Sequence, residues 1–365
     1  VGGVRNVAEI LRTSTAAPGT QVNPAPAALR FAQQPAAVTA GDTLPALSVV
    51  LLDAGGDTAR AYTGPIRMTI AAGPAGATLS GTTVVAAANG TARFPGLRLT
   101  LAGSGYRLAA RADSISGLVT PASDTFTVRP SAAATLQLTG RSAQVAGDTQ
   151  TVRVTALDAF GNRATAVQGP QSLVVSACQG SATGVVVTGQ TTVAWNGAAT
   201  ALFTDGIADI VVQPFTAGSY DLCVGVLSTT ITTVAGQRLS LTVAPAAATH
   251  FRLTAPTSWV AGAPQSVSVT AYDDYENVAT GFTSLIRSVQ FAGPSTSPNG
   301  TVPTMTYVGG TALPFTNNAS LAFTNGVATS TLALYAAEST TLTASSGPIT
   351  TRTPDVVAVT VAPAA

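Results

Sequence analysis

The chain has no lysine. Its 17 basic residues are all arginine, set against 16 acids. Charged residues are 9% of 365, where ordinary soluble proteins carry roughly 25%. A net charge of +1 gives no long-range pull toward nucleic acid or anionic lipid, so neither is an expected partner. Without lysine there is no Lys–Asn isopeptide cross-link, no lysine base and no lysine-bearing phosphate loop. One histidine, His250, and two cysteines, Cys178 and Cys223, exclude a metal site built from several His or Cys ligands. His250 opens a strand beside a linker, and no Ser–His–Asp or Cys–His set assembles around it. Most acids sit in repeated turns, where a structural role explains them better than a glycosidase-type pair. No apolar run reaches the 18 or more residues of a membrane helix, and no transmembrane segment is expected. Convincing helical periods are absent too. An enzyme is therefore not the expectation.

What is present is one long phrase written three times. Ala-Gly opens each copy, at Ala40-Gly41, Ala146-Gly147 and Ala261-Gly262. An acidic turn follows: Asp53-Ala-Gly-Gly-Asp57, Asp158-Ala-Phe-Gly-Asn162 and Asp273-Asp-Tyr-Glu-Asn277. Then come Asn89-Gly90, Asp205-Gly206 and Asn325-Gly326, and the copies close on Val128-Arg-Pro130, Val243-Ala-Pro245 and Val361-Ala-Pro363. The spacing is 106 residues from Gly41 to Gly147 and 115 from Gly147 to Gly262. That exceeds a solenoid repeat of roughly 20–50 residues and suits a sandwich domain of about 100. The boundaries expected are 28–130, 131–245 and 246–365, preceded by an arm or an upstream last strand over 1–27.

Within each copy apolar residues alternate with polar ones. Leu47, Val49 and Leu51 do so in the first, Val152, Val154 and Ala156 in the second, Val267, Val269 and Ala271 in the third. Period-two alternation between Gly, Pro, Asn and Asp clusters predicts antiparallel strands, about seven per copy. In the second copy they are placed near 135–139, 150–157, 171–178, 184–194, 199–203, 207–213 and 219–226, with a last strand near 238–243. The acidic turn suits Asx closure, and the Asn/Asp-Gly pairs suit hairpins. Tyr106 and Tyr220 begin strands where a hydroxyl can anchor a sandwich corner, and Thr340 stands at that place in the third copy. Short joints with one Pro and no Gly-Ser tract predict a stiff string of domains.

The order of alternating strand, Asp-x-x-Gly-Asn, Asp/Asn-Gly-x-Ala and Ala-Gly-x-Tyr resembles the immunoglobulin-like repeats of invasin- and intimin-type bacterial surface proteins. The second copy matches best. Asp57 replaces the Asn in the first and Glu276 the turn Gly in the third. The resemblance covers about residues 28–365. It implies an all-β fold of three tandem immunoglobulin-like sandwiches, located on or outside a bacterial cell. The leading function is structural: a rod-like array forming a stalk, layer or filament through contacts between copies of itself. The alternative is an adhesin touching cells, wall or polysaccharide through loop tips.

Candidate sites follow from the same residues. Cys178 and Cys223 fall in one copy, which predicts a disulfide worth roughly 3–4 kcal/mol in the chain-entropy model; buried free thiols are the other reading. Asp158, Asn162, Asp273, Asp274 and Glu276 offer oxygen ligands for calcium, or else cap their own turns. Trp195, Trp259 and Tyr275 are placed near loop tips, as recognition anchors or as covers over a domain joint. Val4, Val7, Ile10 and Leu11 form an apolar stretch that suits an assembly arm or a truncated strand. Asn89, Asn299 and Asn318 lie in Asn-x-Ser/Thr sites that permit glycosylation.

Overall fold

The computed structural model describes residues 25–189, 191–307 and 310–364. Val4, Val7, Ile10 and Leu11, and with them the expected arm, lie outside the described residues.

Alternation produces the strands as expected. In Gln150–Asp158, Val152, Val154 and Ala156 are buried while Thr151 and Arg153 face solvent. The same two-residue period runs through Leu47–Leu52 and Gln265–Tyr272. Each strand thus turns one apolar row inward and one polar row outward.

The strands of the second copy form two layers, linked at one edge by Thr232–Thr233, which pairs with both Ala133–Thr139 and Gly218–Val226. One runs in the order Ala133–Thr139, Gln150–Asp158, Ile207–Pro214, Gly184–Thr188 and Thr191–Ala194. The other runs Ala143–Val145, Leu239–Ala244, Gly218–Val226, Gly169–Ala177 and Ala198–Phe203. This is the immunoglobulin-like arrangement, with Ala133–Thr139, Gln150–Asp158 and Ile207–Pro214 on one side and the last two main strands on the other. The third copy repeats it, from His250–Thr254, Gln265–Tyr272 and Val327–Ala333 to Val357–Ala362, Ser339–Ser346 and Ser284–Ala292. In the first copy, Ala28–Phe31, Leu47–Leu52 and Thr91–Phe94 face Val38–Thr39, Phe126–Arg129, Gly103–Ala112, Pro65–Ala72 and Val84–Ala86. Three separate buried clusters fill the copies, spanning Leu29 to Val128, Leu136 to Val243 and Phe251 to Val361.

The stretch expected as one strand over 184–194 is a hairpin, with Thr188 opposite Thr191. Gly189 takes a φ of +61° there, which a continuous strand does not tolerate. The short strands Ala143–Val145 and Thr232–Thr233 carry too few residues to show a period, and sequence reading missed both.

By contacts the chain divides into two units. One comprises residues up to Ala132 together with Asp158–Asn162; the other comprises Ala133–Leu157 and Arg163 onward. The second and third copies therefore share one unit. The turn that ends the second copy's strand Gln150–Asp158 belongs, by its packing, with the first.

Turn chemistry sets the loops. Asn89, Asp205 and Asn325 have φ near +50°, and each following Gly is also left-handed, as a type I′ turn requires. Gly41, Gly147 and Gly262 take φ of +83°, +85° and +80°. Asp42, Asp148 and Ala263 each donate their N–H to the carbonyl three residues back. The Ala-Gly pair is thus the centre of a type II turn, and Gly is there because the third position needs positive φ. Cys178 and Cys223 are joined by a disulfide, with their Cα atoms 5.2 Å apart.

Candidate functional site

The acidic turn of the third copy is built on Asp273. Its Oδ1 accepts the N–H groups of Tyr275 and Asn277, each at 2.9 Å. Its Oδ2 accepts the Asn277 side-chain amide at 2.9 Å and the Ala246 N–H at 2.8 Å. Asp273 is fully buried. A buried carboxylate is tolerated because N–H donors surround it. The turn closes with the Asp273 N–H on the Asn277 carbonyl at 3.0 Å.

The rest of the turn reaches the second copy. The Asn277 amide donates to the Phe215 carbonyl at 2.8 Å, and its oxygen accepts the Ala217 N–H at 2.7 Å. Tyr275 stacks on Phe215 with ring centroids 4.9 Å apart and an interplanar angle of 6°. It also covers Gly147, where any Cβ would overlap the Tyr275 ring. The Ala-Gly turn of one copy is a bare floor for the aromatic of the next. Within this unit, then, a key (Asp-x-aromatic-x-Asn) sits in a socket made of a Gly face, one carbonyl and two N–H groups.

The first unit contains the same assembly. Asp158 Oδ1 accepts Phe160 and Asn162 N–H groups at 2.9 Å, and its Oδ2 accepts Ser131 N–H at 2.9 Å. The Asn162 amide donates to the Thr100 carbonyl at 2.7 Å, and its oxygen accepts Ala102 N–H at 2.8 Å. Phe160 covers Gly41 as Tyr275 covers Gly147. Burial alone would raise the Asp158 carboxyl; the bonds from Asn162, Ser131 and Phe160 outweigh it and hold the group below its ordinary value.

The first copy's own turn shares the closure and lacks the key. Asp53 Oδ1 accepts Gly55 and Asp57 N–H groups at 2.9 Å. Gly55 stands where Phe160 and Tyr275 do, and Asp57 where the two Asn residues do. The fourth position is left-handed in all three turns, at Gly56, Gly161 and Glu276. Glu276 holds φ of +64°, uncommon for a residue with a side chain. Its carboxylate receives the Arg252 guanidinium at 2.6 Å. Asp355 receives the other side of Arg252, also at 2.6 Å, and holds the guanidinium more firmly protonated. His250 lies fully buried between Glu276 and Asp355, at 3.4 and 3.5 Å from their oxygens.

These contacts show where the sequence candidates lie. The calcium set does not converge. The oxygens of Asp158 and Asp273 face N–H donors, which suit an acceptor and repel a cation. Asp274 and Glu276 instead meet Arg352 and Arg252. Among the described residues, no group of three acids, His or Cys is placed to hold a metal. Trp195 and Trp259 are not surface anchors. Trp195 is 6% exposed, donates to the Val185 carbonyl and meets Tyr220 edge-on. Trp259 is 2% exposed and donates to the Pro256 carbonyl at 2.6 Å. Trp259 sits between exposed Ser258 and Val260, so alternation turns it inward. Tyr275 alone of the three belongs to a joint. Tyr106 and Tyr220 bond the carbonyls of Leu101 and Thr216, the corner role expected of them; burial pushes the Tyr220 hydroxyl up to about 12.

Sequence reading allowed Tyr275 as a joint cover but took the acidic turn's polar groups as self-closing, and missed that Asn162 and Asn277 bond outside their own turns. A signal was present: the aromatic and the Asn occur together in the second and third copies and are jointly absent from the first.

No known protein family and no curated protein matches the chain. Its structural neighbours include bacterial adhesins and a surface layer protein. One is FdeC, a broadly conserved Escherichia coli adhesin, at 18% identity over 92% of this chain and 96% of that one, with a TM-score of 0.35. Another is invasin, a bacterial integrin-binding protein, at 13% identity over 92% of this chain and 60% of that one, TM-score 0.32. A third is the surface layer protein SbsC, domains 1–6, at 17% identity over 94% of this chain, TM-score 0.27. This chain spans 41% of that structure and 60% of invasin. Overlaps this loose decide nothing about function. The strand order carries the fold: tandem immunoglobulin-like sandwiches, as the chain's own motifs imply.

Proposed function

We propose that the protein is a structural component of a bacterial surface, built of repeats that carry keyed turns. The observation that carries this is the joint itself. The same three socket groups and the same key occur at Asp158–Asn162 and at Asp273–Asn277. Buried, charge-assisted and stacked contacts of this kind hold each turn firmly in its socket. A disulfide fits an oxidising, extracytoplasmic location. A surface poor in charge favours contact between subunits, because few ions must be desolvated. Among the described residues, no grouping with catalytic chemistry stands beside the joint, and an enzyme is not proposed.

Adhesion is the second reading, favoured by Leu202 and Leu227, which are 69% and 58% exposed. Leu202 pairs with Pro170, and the Leu227 N–H bonds Ser172 on the same strand. Electron microscopy of the purified chain tests the two readings. Regular assemblies that persist in a Leu202→Ser/Leu227→Ser variant are the expected result. Monodisperse monomers that bind cells or glycans saturably would replace the structural reading with the adhesive one.

A further inference from the structure

The third copy carries a socket as well. Positions follow from shared bonds: the Gly41, Gly147 and Gly262 N–H groups bond the carbonyls of Leu99, Pro214 and Leu334. Counting on, Tyr335 matches Thr100 and Phe215, and Ala337 matches Ala102 and Ala217. The Ala40, Ala146 and Ala261 N–H groups bond the carbonyls of Arg129, Ala244 and Ala362, so Ala364 matches Ser131 and Ala246. The third copy thus presents the floor Gly262, the carbonyl of Tyr335 and the N–H groups of Ala337 and Ala364. Ala337, Ala364 and Gly262 are exposed, and Tyr335 is half-buried. Among the described residues, nothing bonds that carbonyl or those two N–H groups. The Tyr335 ring lies 3.8 Å from a Cβ built on Gly262. One feature differs. Arg98 and Gln213 support the carbonyls of Gly41 and Gly147, and Ala333 stands in their place.

We propose that this face is a docking site for the Asp-x-aromatic-x-Asn turn of another immunoglobulin-like repeat. The chemistry it selects is that of the two joints already described. A carboxylate takes the Ala364 N–H, a side-chain amide bridges the Tyr335 carbonyl and the Ala337 N–H, and an aromatic ring lies over Gly262 against Tyr335. A second identical chain is not the occupant. Its turns at 158–162 and 273–277 are already seated, and Asp53–Asp57 has neither ring nor amide. The partner is a repeat that carries its own key. This holds whether the array is a scaffold or an adhesin, so it stands or falls apart from the proposed function.

The test lengthens the full chain after Pro363 with a second copy of the sequence 246–365, which recreates the Val-Ala-Pro-Ala joint and adds one key. Backbone hydrogen exchange is read at Ala337, with Ala217 as the internal standard for a seated joint. The expected result is exchange at Ala337 slowed roughly tenfold or more relative to the original chain. Fast exchange should return when the added repeat carries Tyr→Ala and Asn→Ala at its equivalents of Tyr275 and Asn277, while Ala217 stays protected. Protection of the added repeat's own strand amides reports that it folds. Equal rates at Ala337 in the original and lengthened chains, with the added repeat folded, would overturn the proposal. So would dimers of the original chain that both Gly262→Ala and Tyr335→Ala abolish, since the face would then belong to a second copy.

Discussion

Asp53–Asp57 and Asp273–Asn277 close in the same way and differ in what they do next. In both, one carboxylate oxygen gathers two N–H groups from the turn. In both, the fourth residue is left-handed. The third copy adds a ring and an amide at two positions, and the turn becomes a key seated on the neighbouring repeat. The first copy has Gly55 and Asp57 there. The comparison separates two jobs: the leading Asp makes the turn, and the aromatic and Asn make the joint. It also gives the chain a direction, with sockets on three copies and keys on two.

The largest effect should come from the leading Asp. Asp273→Ala removes a buried acceptor of four N–H donors and is expected to cost roughly 3 kcal/mol in urea unfolding. Asp53→Ala, which strips two donors from a turn without a key, is expected to cost about 1 kcal/mol. Equal losses would erase the distinction between the two turns. Next come the socket floors. Gly147→Ala forces a methyl into the Tyr275 ring on top of an unfavourable φ, about 2 kcal/mol in all. Gly262→Ala meets only the φ cost of about 1 kcal/mol. In a Tyr275→Ala background, the added cost of Gly147→Ala should fall to the Gly262→Ala value.

A smaller and more local effect is expected at the amide. Asn277→Ala should leave the sandwiches intact, cost roughly 1–2 kcal/mol, and speed hydrogen exchange at Ala217. Asp57→Ala should stay within about 0.5 kcal/mol of the parent. The mildest perturbation is pH. The Asp158 carboxyl lies below its ordinary value in the folded protein. Its contribution is therefore complete above the ordinary carboxylate value and is lost as pH falls through the lowered one, below about pH 4. Amide exchange at Ala102, normalised for its intrinsic pH dependence, should lose protection only in that acid range. Loss near pH 6 would point to another group.

Much of the fold was legible because alternation and turn residues act locally. Val152, Val154 and Ala156 had to face one way, and Asn325-Gly326 had to turn. The Ala-Gly pair was visible as a repeat, and its left-handed Gly follows from steric rules alone. Trp195 and Trp259 were misplaced for a physical reason. Large aromatics beside turns look exposed in one dimension, and only the sheet face each strand presents decides which side they take. The five oxygen-bearing residues looked like cation ligands because composition shows acceptors and hides the donors that meet them. Ser131 lies 27 residues from Asp158 and Ala217 lies 60 from Asn277, beyond any local pattern.

By itself, then, the sequence determined the repeat, the strand period, the turn types and the exclusion of lysine chemistry and of His- or Cys-rich metal sites. Each of these depends on residue identity and near-neighbour sterics. Only the tertiary structure decided that the acidic turn is a key, that Gly147 is its floor, and that Tyr275 serves a joint while the tryptophans serve cores. Those facts depend on which donor meets which acceptor across two sandwiches, and packing sets that meeting.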